Sequence, residues 1–213
     1  MAQHVGDDAE IVEQNRQLLP NCQNFVWLNQ THSNISVELS QQTVKQHNLI
    51  QADACYTHTK QQVCAVMTAD CLPILFCDQQ GTSVAAVHAG WRGLADGVIE
   101  NTVQGMPVEP TNLMAWIGPA ISQANFEVGS DVKVAFAQYP QAFIPSQQLK
   151  KDKYLADLVL IAKLKLAALG INQVYGGDYC TYADEELFFS HRRIVHQNVN
   201  KADTVATTGR MVS

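Results

Sequence analysis

The stretch TADCLPILFCDQQGTSVAAVHAGWRG, Thr68 to Gly93, constrains the fold more than any other part of the chain. Two apolar runs, Cys71 to Cys77 and Thr82 to His88, flank the turn-forming residues Asp78-Gln79-Gln80-Gly81. That pattern predicts an antiparallel hairpin with Asp78 to Gly81 as its loop. Cys77 then pairs with Thr82, and Cys71 falls opposite His88. Directly opposed residues share a sheet face, with Cβ atoms about 4.5–5.5 Å apart. The spacing suits two ligands of one metal ion, a thiolate beside an imidazole, or two unrelated buried residues. Pro73 has no N–H for a ladder, which predicts an edge strand or a bulge at that point.

The rest of the chain reads as more strands than helices. A capped helix is expected from Asp7-Asp8-Ala9-Glu10 to about Leu19, ahead of Pro20. Strands are expected over Phe25 to Gln30, Ile35 to Leu39, Ala52 to Thr57, Gln62 to Thr68 and Leu113 to Ile117, with late ones at Val174-Tyr175 and Leu187 to Ser190. Helices are expected from Leu94 to about Val103, Ser130 to Tyr139 and Lys153 to Leu169, the last stopped by Gly170. Consecutive strands of this kind predict an α+β class with a mixed, largely antiparallel sheet. At 213 residues, with no repeat or linker, the expectation is one domain over residues 1–213.

Apolar residues make up 46% of the chain and charged residues 16%, so a folded core is expected. The net charge of -6 argues against nucleic acid or an anionic membrane as partner. The N-terminus has no charged n-region and no apolar h-region, so no secretory signal is read. The six cysteines contain no C-x-x-C, and a chain of this size needs no disulfide framework. A reducing cytoplasm is therefore the expected compartment.

A catalytic zinc site needs three protein ligands and an open fourth position. His32, at the end of an apolar strand and among polar residues, is the best third candidate beside Cys71 and His88. His191 stays in reserve. His4, His47, His58 and His196 sit in ordinary surface surroundings.

The segments WLNQTHSN, TADCLPILFCD, AAVHAGWRG, WIGPAISQANFEVG, GGDYCTYADEELFFSHRR and TGRM together resemble one bacterial and animal family. That family has been described as multicopper polyphenol oxidoreductase, or laccase domain, and later as purine nucleoside phosphorylase. The resemblance runs from about Val5 to Met211. It implies a layered α/β sandwich similar to the bacterial toxin (CNF-like) deamidases, and zinc held by His32, Cys71 and His88. It also implies phosphorolysis of adenosine, inosine, guanosine and methylthioadenosine, with deamination of adenosine to inosine. Family members carry a further N-terminal segment with an arginine motif, and this chain begins inside that pattern. The Ile194 to Thr207 interval is also longer than the resemblance implies.

Such an ion lowers the pKa of bound water and polarises substrate groups. A phosphate pocket needs cations. Arg92 is the first choice, at a strand-to-helix turn beside Gly90 and Gly93, with the N-terminus of the following helix adding its dipole; Arg193 and Arg210 follow. Asp70, next to Cys71, is a candidate to orient a ligand histidine, to move a proton, or to cap a turn. Trp91 and Phe126 are candidates to stack on a purine, and Cys180 reads as structural. Copper-cluster oxidation is disfavoured because the chain has no His-x-His, though copper can occupy an N/S triad adventitiously. The rival is a metal-free hydrolase, an amidase or deamidase with Cys71 as nucleophile and His88 as base. An interaction module without catalysis would leave these groups unused.

Overall fold

A computed structural model describes residues 8–40, 50–146 and 152–200. The chain enters through α1 (Ala9–Gln17), started by Asp8, whose carboxylate accepts the backbone N–H groups of Glu10 and Ile11 at 2.9 and 3.1 Å. The main sheet follows as β1 (Ser36–Glu38), β2 (Ala54–Thr57), β3 (Leu72–Asp78) and β4 (Val84–Ala89). Two short helices come next, α2 (Trp91–Ala95) and α3 (Val98–Gly105), and then β5 (Leu113–Ile117). After α4 (Ser130–Ala135) and α5 (Leu158–Ala168), β6 (Gln173–Gly176) closes the sheet and α6 (His191–Asn200) follows.

The sheet order is β6-β5-β3-β4-β2-β1. The three inner pairings are antiparallel and the two outer ones parallel, so the sheet is mixed and largely antiparallel as the sequence implied. Leu72, Ile74 and Phe76 of β3 point to one face and pack with Val98, Ile99 and Val103 of α3 and Leu158, Ile161 and Leu166 of α5. Each such side chain, once buried, contributes about 1.5–3 kcal/mol. On the other face a smaller cluster, Val26, Leu28, Leu39, Ala52, Cys55 and Ala86, covers the β2–β4 half. Leu75, Trp116 and Tyr175 stay exposed on the β3–β5–β6 half.

The hairpin forms with a register two residues away from the expected one. Cys77 pairs with Val84 and Pro73 with His88, so Cys71 lies beyond the ladder, level with Gly90. The cause is Asp78. Its carboxylate accepts the Thr82 N–H and hydroxyl at 2.6 and 2.7 Å and the Ser83 N–H at 2.8 Å, so Asp78 ends the strand instead of opening the loop. A slip of two keeps every side chain on its face, which is why Cys71 and His88 still meet. Pro73 sits in an interior strand, not at an edge. Its carbonyl accepts Gly118 N–H at 2.9 Å, so the missing N–H falls on the β5 side just past Ile74↔Ile117, where that ladder has ended.

Other expectations shift for local reasons. The Leu94–Val103 helix begins earlier and breaks in two at Gly97, whose φ of 94° ends one helix and starts the next. The long Lys153–Leu169 helix is a strand, Tyr154–Ala156, followed by α5, because Asp157 acts as N-cap through Leu160 N–H at 2.8 Å. That strand joins Glu127–Val128 and Phe143–Pro145 in a small three-stranded sheet. The Ser130 helix ends at Ala135, short of Tyr139. Leu187 to Ser190 is not a strand but the turn leading into α6. The Phe25–Gln30 run splits into Phe25–Val26 and Leu28–Asn29, and the Gln62–Thr68 run keeps only Val63–Cys64. No helix among the described residues is long and apolar enough to cross a membrane.

Candidate metal centre

His88 is the last residue but one of β4, Cys71 precedes β3, and His32 lies in the loop between Leu28–Asn29 and β1. The ligand atoms of these three residues lie within 4.8 Å of one another. Cys71 Sγ is 3.6 Å from His32 Nε2. A tetrahedral ion with Zn–S near 2.3 Å and Zn–N near 2.0–2.1 Å sets sulfur and nitrogen about 3.6 Å apart, so the donor set and its spacing both fit such an ion. The two imidazoles stand edge to face with centroids 4.9 Å apart. His32 is exposed, Cys71 half-buried and His88 buried, so the centre opens to solvent on the His32 side. Gly90 lets the ligands meet: a Cβ there would lie 2.6 Å from His32 Cδ2 and 3.3 Å from Cys71 Sγ.

The sequence reading missed Asp53. This carboxylate is fully buried, and its Oδ1 lies 2.8 Å from His88 Nδ1. Because a carboxylate only accepts, the proton sits on Nδ1 and Nε2 is left free to ligate. The same carboxylate accepts the backbone N–H groups of Thr31, His32 and Ser33 at 3.1, 3.0 and 2.6 Å, and the Ser33 hydroxyl at 2.7 Å. His32 has φ of 60°, a conformation that L-residues with side chains seldom adopt, and these bonds hold it there. The signal in the sequence was a single acid inside the apolar run Ala52 to Tyr56, since charged groups are almost never fully buried unless paired.

Burial opposes ionisation at each of these groups, and the network overcomes it. Burial pushes the Asp53 carboxyl up, but the bonds from His88, Ser33 and Thr31 bring it to about 2. Burial likewise opposes the charged His88 ring, and Asp53 and the Cys71 sulfur raise it to about 9. The Cys71 thiol is pushed up by burial and brought to about 7 by His32 and His88. In the metal-free chain this is a thiolate–imidazolium pair backed by a carboxylate.

Asp70 does not take the orienting role, which Asp53 fills. Its carboxylate accepts the hydroxyls of Thr181 and Ser190 at 2.7 and 3.0 Å and Arg192 N–H at 2.7 Å. With φ of 89°, it shapes the turn before Cys71 and docks the start of α6. Arg92 lies in α2, exposed, its guanidinium 4.4 Å from the Trp91 ring centre. The helix at that turn has only five residues, and Gly93 makes room for the Ser33 carbonyl, not for a ligand. Arg193 donates to the carbonyls of Thr181, Tyr182 and Phe188 at 2.6–2.8 Å, which ties down the 181–188 turn. Phe126 is buried in the core with Arg192 over its ring, and Cys180 sulfur accepts Ser122 N–H at 3.4 Å. Arg210, His4 and His47 lie outside the described residues.

A family model described as multi-copper polyphenol oxidoreductase laccase matches residues 1–213. The chain belongs to that family. Purine nucleoside phosphorylase YfiH of Escherichia coli is 46% identical over 218 residues, covering 99% of this chain and 82% of that protein. Purine nucleoside phosphorylase PA4543 of Pseudomonas aeruginosa is 43% identical over 197 residues, covering 89% of this chain and 78% of that protein. Among solved structures, Neisseria meningitidis protein NMB0706 superposes with a TM-score of 0.82 at 45% identity, covering 90% of this chain and 79% of that one. YlmD from Geobacillus stearothermophilus gives 0.79 at 29% identity, with coverages of 91% and 78%. The family, its fold and a His/Cys triad able to hold a metal ion are thus in place together.

Proposed function

We propose that this chain is a zinc-dependent purine nucleoside phosphorylase that also deaminates adenosine. The observation that carries this reading is the convergence of His32, Cys71 and His88, with Asp53 behind His88, in a relative of proteins named for phosphorolysis. Its substrates are adenosine, inosine, guanosine and methylthioadenosine with inorganic phosphate. When bound, zinc supplies a Lewis acid that polarises a substrate group and lowers the pKa of water. Cys71 contributes the only anionic ligand, and His32 and His88 contribute neutral Nε2 donors. Arg92, exposed on α2 two residues beyond Gly90, neutralises phosphate, and Arg210 is a second such contact. Asp70 keeps the turn before Cys71 in shape. Copper fits the same donors as an adventitious occupant. The compartment is the cytoplasm, in keeping with six free cysteines.

A second reading has one specific support. Asp53, His88 and Cys71 form an acid–imidazole–thiol line of the kind a cysteine hydrolase needs. One experiment separates the two. With adenosine and phosphate the chain releases adenine at a phosphate-dependent rate, and inosine forms with or without phosphate. Chelation suppresses both reactions and zinc restores them. A cysteine hydrolase ignores phosphate, resists chelation and cleaves an amide. Untouched adenosine and inosine alongside a cleaved amide would falsify the phosphorylase reading.

A further inference from the structure

We infer that Asp53 is the positioning residue that sets both histidine ligands at once, so that the metal affinity of the whole centre passes through one buried carboxylate. The inference rests on the zinc reading above for its metal, and on this chain's own contacts for its mechanism. The two oxygens divide the work. Oδ1 takes His88 Nδ1–H and the backbone N–H of His32, while Oδ2 takes the backbone N–H groups of Thr31 and Ser33 and the Ser33 hydroxyl. Asp53 also accepts His88 N–H on its backbone carbonyl at 2.7 Å and donates its own N–H to Ile35 at 3.0 Å, so the acid cannot shift without moving β4 and the His32 loop.

All five side-chain partners are donors, and this makes the residue irreplaceable by its amide. An Asn at position 53 has one acceptor oxygen and one NH₂. If the NH₂ takes the place of Oδ1, Nδ1 must become an acceptor, the ring proton moves to Nε2 and the ligating lone pair is lost, and the His32 N–H meets another donor. If it takes the place of Oδ2, the N–H groups of Thr31 and Ser33 meet another donor and the bonds on both sides of His32 that hold its positive φ are lost. Either placement damages at least one imidazole ligand, and neither touches Cys71.

The test uses full-length Asp53→Asn, with Ser33→Ala as the variant that removes one of the five bonds and keeps the carboxylate. Zinc affinity is read by competition with a chromogenic chelator, and the cobalt-loaded forms are read by absorbance. Wild type and Ser33→Ala should agree within about threefold, while Asp53→Asn should bind zinc about 10–100-fold more weakly. Its cobalt form should keep the thiolate charge-transfer band but lose ligand-field intensity, because Cys71 stays while an imidazole leaves. Nitrogen-15 spectra of the wild-type ring should show His88 protonated at Nδ1 with metal bound. That measurement holds even if Asp53→Asn fails to fold, and a metal-bound His88 lacking the Nδ1 proton would overturn the inference. Equal zinc affinity in a folded Asp53→Asn would overturn it alone, leaving the zinc reading intact. Wild type that takes up no zinc would overturn both.

Discussion

At the residue scale, each ligand carries a different kind of constraint. Cys71→Ala should abolish stoichiometric zinc binding and both activities, because it removes the only anionic donor; metal analysis after gel filtration checks this. Gly90→Ala should act through space, since its Cβ would press on His32 at 2.6 Å. Overpacking of this order costs about 1–3 kcal/mol, and a titration should show metal affinity down by about tenfold or more with an unchanged circular dichroism spectrum. Arg92→Ala should raise the KM for phosphate and spare deamination; equal loss of both would assign Arg92 to the nucleoside or the fold. Proton count gives an independent check. Metal binding needs Cys71 as thiolate and His88 neutral, and these titrate at about 7 and about 9 in the free chain. Cys71 and His88 together should therefore release about two protons on zinc uptake at pH 6 and about one at pH 8, measured by calorimetry in buffers of different ionisation enthalpy. The ligand types at these positions were legible in the sequence because Cys and His at strand ends beside apolar runs stand out. Asp53 was not, because nothing local marks which loop a buried acid will face.

At the element scale, the hairpin shows what pattern reading captures and what it loses. Alternation placed β3 and β4 and their shared face correctly, since a period of two survives any even slip. It could not place the turn, whose register is decided by three hydrogen bonds to the Asp78 carboxylate. Asp78→Ala should lower the denaturant midpoint of unfolding, since three hydrogen bonds to one carboxylate are lost at the turn. The helix boundaries failed for a related reason. Asp157 and Gly97 read as tolerable interior residues by apolar periodicity, yet each is better used at a helix start, where a carboxylate can cap and a positive φ costs little.

At the scale of the whole molecule, the buried network makes stability depend on pH in a defined way. Asp53 titrates at about 2 in the folded chain against 3.8 ordinarily, so its contribution is full above about 3.8 and is lost as pH falls towards 2. His88 runs the other way in the metal-free form: raised from 6.5 to about 9, its protonated contribution is full below 6.5 and gone once pH passes 9. Cys71 runs opposite to His88, lowered from 9.0 to about 7, so the two largely cancel between pH 7 and pH 9; metal-free protein should thus lose thermal stability at the acid end and stay nearly level on the alkaline side. A melting series from pH 3 to pH 10 on the metal-free form checks both limbs. The largest consequence belongs to the tie between Asp70 and the start of α6. Its partner Arg192 lies 122 residues further along the chain. At about 5–20 residues per second, synthesis delivers that partner on the order of 6–24 s after Asp70. For most of that interval, once His88 has been made, every ligand of the triad exists while the clasp on the Cys71 turn does not, so the ribosome-bound chain carries its ligands before it carries a finished site.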